Sequence, residues 1–121
     1  MSQMDGEGRP LFLQIAERIE NDIMEEVLKE EEQVPSTNQF AVFYRINPAT
    51  AAKGVNILVD QNILYKKRGI GMFVMTGARE QLLKKRKAEF YERYVVAMIQ
   101  EAEKIGITLD QLVTMVAKGA K

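Results

Sequence analysis

The chain has 121 residues, with 17 acidic and 17 basic side chains and neither histidine nor cysteine. Because histidine is the usual general base and, with cysteine, a usual ligand of transition metals, we expect no enzyme, no metal site and no cofactor. No apolar run approaches the roughly 18 residues of a membrane span, and the first ten residues lack the apolar segment of a secretory signal. We therefore expect a cytoplasmic protein that does not bind membranes.

The charges are segregated along the chain. Residues 1–34 hold ten acidic and three basic side chains, so this segment carries a net charge of −7 and the remainder carries +7. A phosphate-binding surface needs local positive charge, whatever the total. A net charge of zero therefore does not exclude nucleic acid as a partner.

The N-terminal part of the chain predicts one helix and a connector. Residues 1–8 are small and polar, and we expect them to be disordered. From Pro10, apolar residues recur every three or four positions, which predicts an amphipathic helix. Its core face is predicted to hold Phe12, Ile15, Ala16, Ile19, Ile23 and Val27. We interpret Glu30-Glu31-Glu32 as solvated surface and predict a short strand at Gln33-Val34 that meets a later hairpin.

Two helix starts follow in quick succession. Ser36 and Gln39 have the spacing of a capping box. Asn47 is a favoured N-cap residue, and Pro48 after it occupies the first helical position, where its missing N–H costs nothing. The first helix is therefore short and the second, over about residues 48–61, follows at once. This spacing predicts a helix-turn-helix, whose second helix lies in a DNA major groove.

The second of these helices has a core face and an outer stripe. The core face is predicted to hold Ala51, Gly54, Val55 and Leu58. Only the first turns of such a helix enter the groove. The candidates for base contact are therefore Pro48, Ala49, Thr50, Ala52 and Lys53.

A two-stranded hairpin is predicted over residues 63–75. Lys66, Lys67 and Arg68 precede a tip, Gly69-Ile70-Gly71, whose glycines suit positive φ or close backbone approach. We expect the three cations to contact phosphates or the minor groove beside the helix pair. The alternative is a charged hairpin that serves only as solvated surface.

The chain is predicted to be helical again from about Thr76. Apolar residues at steps of four and three, typical of helices that pack on helices, occur at Tyr91, Val95, Met98, Ala102 and Ile105. Gly106 breaks this helix, and Thr108 with Gln111 has capping-box spacing for a last one. The last helix carries Leu109, Leu112, Val113 and Val116. We expect this apolar stripe to pair two copies into a homodimer, with packing on the winged domain of the same chain as the alternative.

The chain resembles the GntR family of winged helix-turn-helix regulators, and its short tail resembles the YtrA-like subfamily. The resemblance is carried by four segments in order: Pro10-Leu11-Phe12-Leu13-Gln14-Ile15, Val34-Pro35-Ser36, Asn47-Pro48-Ala49-Thr50 and Arg68-Gly69-Ile70-Gly71-Met72-Phe73-Val74. It implies an α+β fold, with a winged helix-turn-helix domain of three helices and a hairpin wing over residues 9–76. A two-helix dimerisation tail is expected over residues 77–121.

The resemblance also implies which residues contact DNA. They are Ser36, Asn38, Asn47, Pro48, Ala49, Thr50, Ala52, Lys53, Arg68 and Gly69. Many family members have arginine where this chain has Asn38, Pro48 and Ala52. Because arginine binds guanine bidentately, its absence shifts the expected readout to Asn47, Thr50, Lys53, the wing or DNA shape.

The function implied by the resemblance is that of a dimeric repressor. Its partner would be double-stranded operator DNA, in an operon such as one that encodes an ABC transporter, and an unidentified small-molecule effector stays open. The alternative function is a winged-helix module that binds proteins without binding specific DNA.

Overall fold

The computed structural model describes residues 9–120. In chain order, the elements are α1 (Leu11–Met24), α2 (Thr37–Tyr44), α3 (Pro48–Asp60), β1 (Leu64–Lys67), β2 (Gly71–Val74), α4 (Ala78–Phe90), a π-helical turn (Tyr91–Val96), α5 (Ala97–Lys104) and α6 (Leu109–Gly119). They form two compact units, one ending at Leu83 and the other beginning at Lys84. The predicted α+β fold of three helices, a hairpin wing and a helical tail is confirmed. The disorder expected for residues 1–8 lies outside the described residues.

The first unit has one apolar core, to which α1, α2, α3, the hairpin and the start of α4 all contribute. Ile19 of α1 and Leu58 of α3 are completely buried, and Val74 of β2 is buried with them. Burial of a large apolar side chain contributes about 1.5–3 kcal/mol. The predicted core face of α3, at Ala51, Gly54, Val55 and Leu58, is confirmed. Among residues 9–120, no helix combines the length and the apolar character that crossing a membrane requires.

The first helix ends earlier than the apolar spacing predicts. Met24 is its last residue, and Glu26 adopts a left-handed conformation with φ of 61°. The N–H groups of Val27 and Leu28 both donate to the carbonyl oxygen of Asp22, at 2.8 and 3.0 Å. Val27 is 63% exposed, so its assignment to the core face is wrong. A three-and-four spacing describes one face only while the chain remains helical.

A tight turn joins α2 to α3. The Oγ of Ser36 accepts from the N–H of Gln39 at 3.1 Å, and Oε1 of Gln39 accepts from the N–H of Ser36 at 2.7 Å. Arg45 ends α2 in a left-handed conformation with φ of 56°. The Oδ1 of Asn47 then accepts from the N–H of Ala49 at 2.7 Å and begins α3. Both predicted helix starts, and the helix-turn-helix that they define, are confirmed.

Close approach of α1 to α3 depends on Gly54. A Cβ atom built at this position would lie 2.6 Å from the carbonyl oxygen of Phe12 and 3.1 Å from the Cβ of Ile15. The absence of a side chain therefore permits the two helices to pack. One consequence is that the backbone of Phe12 lies directly beside α3.

The second unit departs from the predicted apolar stripe in two ways. A π-helical turn at Tyr91–Val96 interrupts the helix that continues into α5, so a regular heptad spacing does not hold across it. Ala102 and Leu112 are buried, at 5% and 8% exposure, where α5 and α6 pack together. The remaining stripe residues are exposed or half-buried: Tyr91, Val95, Met98, Ile105, Leu109, Val113 and Val116. The capping box of Thr108 and Gln111 is present.

Candidate nucleic-acid interface

The start of α3 presents most of its predicted contact residues on the surface. Asn47, Pro48, Ala49 and Lys53 are exposed, and Thr50 and Ala52 are half-buried. Since Oδ1 of Asn47 is engaged in the cap, the side-chain amide nitrogen is the donor that this residue offers to a ligand. Small residues at the other positions permit close approach of the helix to a groove and apolar contact with thymine methyl groups.

Lys53 supplies the positive charge of this helix, as the one basic residue within Pro48–Asp60. Its Nζ lies 4.0 Å from the centroid of the Phe12 ring. The sequence placed Phe12 on the core face of α1, whereas the structure leaves it half-buried. Helical spacing gives no signal for this contact, because the two residues belong to different helices.

The start of α2 contributes Ser36 and Asn38, both of which are exposed. The hydroxyl of Ser36 is engaged by the N–H of Gln39, so its first role is to cap the helix. Asn38 lies in the first turn of α2, at the N-terminal end of the helix-turn-helix. Its carboxamide is compatible with contact to a phosphate oxygen.

The wing distributes its cations over both faces of the hairpin. Tyr65 pairs with Phe73 across the strands, and their rings stack with centroids 5.8 Å apart. Because side chains alternate along a strand, Lys67 shares the face of these rings, and its Nζ lies 4.6 Å from the Phe73 centroid. Lys66 projects from the opposite face and Arg68 lies in the turn, where Gly69 has the predicted positive φ, 77°.

The connector between α1 and α2 forms backbone hydrogen bonds with β2, the second strand of the wing. Gln33 pairs with Phe73 as an isolated antiparallel bridge. The N–H of Val34 donates to the carbonyl oxygen of Met72 at 2.9 Å, and the N–H of Val74 donates to that of Glu32 at 3.0 Å. The predicted meeting of Gln33-Val34 with the hairpin is therefore confirmed, but the segment forms a single bridge to β2 and not a strand.

Glu31 is exposed, as predicted for the acidic run Glu30-Glu31-Glu32, but it also makes specific hydrogen bonds to the wing. Its carboxylate accepts hydrogen bonds from the hydroxyl of Tyr65 in β1 and from that of Thr76, just after β2. The Thr76 hydroxyl, and then that of Tyr65, hold the pKa of Glu31 below its ordinary value. The same bond to Glu31 raises the pKa of Tyr65, because it favours the neutral phenol. The N–H of Glu31 donates to the carbonyl oxygen of Val74 in β2 at 2.8 Å, so Glu31 joins both strands at the base of the wing.

Within residues 9–120, no group of three or more acidic side chains is arranged to hold a metal ion. What the site does provide is a short helix pair, an exposed helix start with one lysine, and a cationic hairpin beside it. This combination defines a winged helix-turn-helix protein, the class in which the second helix of the pair enters a DNA groove.

The family follows from comparison with known proteins. Residues 11–74 match the model of the bacterial regulatory proteins of the gntR family, and the chain belongs to this family of DNA-binding transcriptional regulators. A GntR-family transcriptional regulator from Bacteroides thetaiotaomicron is 32% identical in sequence. Its crystal structure superposes with a TM-score of 0.67 and covers 89% of this chain and 94% of that one.

Three further comparisons concern the winged domain. The transcriptional repressor NagR from Bacillus subtilis is 30% identical over 74 residues, which are 61% of this chain and 30% of NagR. The chain thus spans less than a third of NagR, and likewise 29% of a second relative, the Bacillus subtilis regulator YurK. The DNA-binding domain of AraR, solved in complex with an operator, is 27% identical with a TM-score of 0.50. That match covers 52% of this chain and 76% of the AraR chain.

The short tail also has a structural counterpart. YtrA from Sulfolobus acidocaldarius, a GntR-family transcription factor, matches with a TM-score of 0.54 at 20% identity. The match covers 98% of this chain and 93% of YtrA, so the two proteins share a fold over nearly their whole lengths. At this level of identity the likeness concerns the fold alone.

Proposed function

We propose that this chain is a dimeric repressor that binds double-stranded operator DNA. The observation that carries the proposal is the exposed start of α3, held behind a tight turn from α2 and followed by a cationic wing, all within the family match. In this proposal, residues 9–76 bind DNA and residues 77–121 dimerise. No cofactor and no enzymatic step are required, and the site of action is the cytoplasm, where bacterial DNA lies.

The proposed contacts divide into two kinds. Lys66, Lys67 and Arg68, with the backbone at Gly69, bind phosphates or the minor groove and position the protein. Ser36 and Asn38 add positioning contacts at the start of α2. Base edges are read by the start of α3, and its contact residues are Asn47, Pro48, Ala49, Thr50, Ala52 and Lys53.

Dimerisation is supported by the apolar surface of the tail. Ile105, Leu109, Val113 and Val116 are all more than half exposed. A surface that exposes several large apolar side chains is typical of an interaction site, and burial of apolar surface contributes about 25 cal/mol per Å². A second copy is the economical partner, because operator recognition by helix-turn-helix proteins usually involves a two-fold dimer.

Repression is supported by the relatives. NagR is a transcriptional repressor, and AraR has been solved on its operator. The YtrA-like resemblance adds, as a proposal, that the target is an operon such as one encoding an ABC transporter.

The experiment is selection of bound duplexes from a random pool, followed by salt titration on the selected sequence. Each phosphate contact contributes about 0.9 to the slope of log affinity against log salt. Removing Lys66, Lys67 and Arg68 together should weaken all duplexes alike and flatten that slope. Lys53→Ala should instead change the preference between sequences, and Lys118→Ala in α6 serves as the control. Selection of no sequence, or affinity indifferent to salt, would contradict the proposal.

The second candidate is a protein-interaction module, and one observation favours it. Val42 and Phe43 on α2 are 79% and 76% exposed, although both are large and apolar. Such a pair is typical of a surface that contacts another protein. Binding of a protein partner with no selected duplex would establish this function instead of the first.

A further inference from the structure

Phe12 occupies an unusual place for an apolar residue of α1. Three positions later, Ile15 is buried at 1% exposure, whereas Phe12 is only half-buried. Its ring lies 4.0 Å from the Nζ of Lys53, well inside the distance at which a cation is attracted to an aromatic face. The ring thus contacts the one cation of the DNA-reading helix.

The pair forms because α1 and α3 approach each other at the next residue of α3. Gly54 lacks a side chain, and the carbonyl oxygen of Phe12 occupies the space where its Cβ would lie. Helical side chains lean toward the N-terminus of their helix, so the Lys53 chain extends back toward the start of α3. The ring of Phe12, near the start of α1, then lies within its reach.

Holding Lys53 matters for base discrimination. A lysine ammonium is a point charge on a flexible chain, and it lacks the planar fork with which arginine selects guanine. Arginine is absent from the positions of Asn38, Pro48 and Ala52. A lysine with a restricted position loses less conformational freedom on binding and distinguishes base edges better than a freely rotating one.

We propose that Phe12 is a positioning residue for base recognition: its ring holds the Lys53 ammonium in place, and the sequence preference due to Lys53 depends on that ring. This inference rests on the proposed function, since it assigns a role within the same DNA-reading surface. Phe12 itself need not touch DNA.

The test is a double-mutant cycle on the selected duplex and on duplexes with single base-pair changes. Phe12→Leu removes the ring and keeps apolar bulk, and Phe12→Tyr keeps the ring. Phe12→Leu should lower the ratio of affinities between preferred and altered duplexes by about 3-fold, as loss of one exposed cation–π contact implies. Phe12→Tyr should retain the ratio. In the Lys53→Ala background, Phe12→Leu should change the ratio no further.

A structural role would give different results. Loss of packing alone would weaken all duplexes equally and would do so with or without Lys53. The salt slope should stay constant in Phe12→Leu, because the number of phosphate contacts is unchanged. Additive effects of Phe12→Leu and Lys53→Ala, or an unchanged ratio in Phe12→Leu, would overturn the role of Phe12.

A second measurement needs no DNA and covers the case in which a variant folds poorly. The ring should shift the Lys53 ε-methylene proton resonances upfield in the wild type, and Phe12→Leu should abolish the shift. A wild type without the shift overturns the pairing. If the wild type prefers no duplex, the proposed function is overturned, and the role of Phe12 in base recognition is overturned with it. If the resonance shift is nevertheless present in that case, the contact between Phe12 and Lys53 exists and DNA recognition is the part that failed.

Discussion

The side chain of Gln33 donates a hydrogen bond from Nε2 to the carbonyl oxygen of Ile70, 3.0 Å away and 37 positions later in the chain. Ile70 lies at the tip of the wing, between Gly69 and Gly71. A Cβ at Gly71 would lie 2.5 Å from the same Nε2 atom, and Gly71 has a φ of 144°. The connector that leads into the helix-turn-helix therefore also holds the tip of the wing.

We expect Gln33→Ala to weaken DNA binding on all duplexes to a similar degree. One exposed hydrogen bond contributes about 0.5–1.5 kcal/mol, so a loss of a few-fold in affinity is expected from fluorescence anisotropy. Gln81→Ala is the matched control, because Nε2 of Gln81 also donates to a backbone oxygen, that of Gln61 at 3.3 Å, away from the wing tip. Equal losses in the two variants would contradict a specific role for the tip.

Gly54→Ala should destabilise the first unit. The added methyl group would lie 2.6 Å from a backbone oxygen of α1, and forced overpacking of this kind costs about 1–3 kcal/mol. The measurement is the midpoint and slope of urea unfolding. In Gly119→Ala, the control in α6, the new methyl group meets no atom within 4 Å, so no loss is expected. A Gly54→Ala variant as stable as the wild type would show that α1 and α3 pack less closely.

The stability of the wing should depend on acid pH through Glu31. Hydrogen bonds from Thr76 and then Tyr65 lower the pKa of Glu31 from its ordinary value of 4.5. A lowered pKa means that the ionised carboxylate stabilises the fold above that ordinary value, and that this contribution is lost as the pH falls through the folded pKa. Unfolding midpoints measured from pH 7 to 3 should therefore fall more in the wild type than in Glu31→Gln.

Asp22 provides a control of opposite sign. Burial raises its pKa above the ordinary value, against the opposing effect of Arg18. Ionised Asp22 therefore destabilises the fold. Near neutral pH, Asp22→Asn should be more stable than the wild type, and this difference in stability should disappear as the pH falls and Asp22 becomes protonated. As the pH falls, the unfolding midpoint relative to the wild type should therefore rise for Glu31→Gln and fall for Asp22→Asn. If this difference changed in the same direction for both variants, the assignment of the Glu31 hydrogen bonds would be wrong.

Adjacent residues of α6 should separate folding of the tail from dimerisation. Leu112 is 8% exposed and Val113 is 59% exposed. Leu112→Ala should destabilise the helical unit, because truncation of a buried leucine costs about 2–5 kcal/mol. Val113→Glu should preserve the helical circular dichroism of the protomer and shift sedimentation equilibrium toward the monomer.

The control for charge at this position is Thr114→Glu, which places the same group on the neighbouring exposed residue outside the apolar stripe. It should leave the sedimentation equilibrium of the wild type unchanged. A dimer that survives Val113→Glu would remove α6 from the proposed interface, and dissociation by both variants would point to net charge instead of the stripe.

Local features of this protein were determined by the sequence alone. The caps at Ser36, Asn47 and Thr108 are confirmed as hydrogen bonds, and the positive φ at Gly69 is confirmed in the turn. Each depends on residues only a few positions apart, so short-range chemistry decides it. The buried face of α3 also follows, because helical periodicity reports which side chains share a face.

Only the tertiary structure decided which distant side chains meet. Phe12 contacts Lys53, Gln33 binds the wing tip, and Glu31 joins both strands, because separate backbones approach within a few ångströms. The periodicity of apolar residues carries no information about the distance between the backbones of separate elements. That distance depends instead on particular close approaches, such as the one at Gly54, and on where α1 stops. Residues close together in sequence therefore determined the order of the helices and the wing. Tertiary packing determined how the side chains of the proposed DNA-binding surface are arranged.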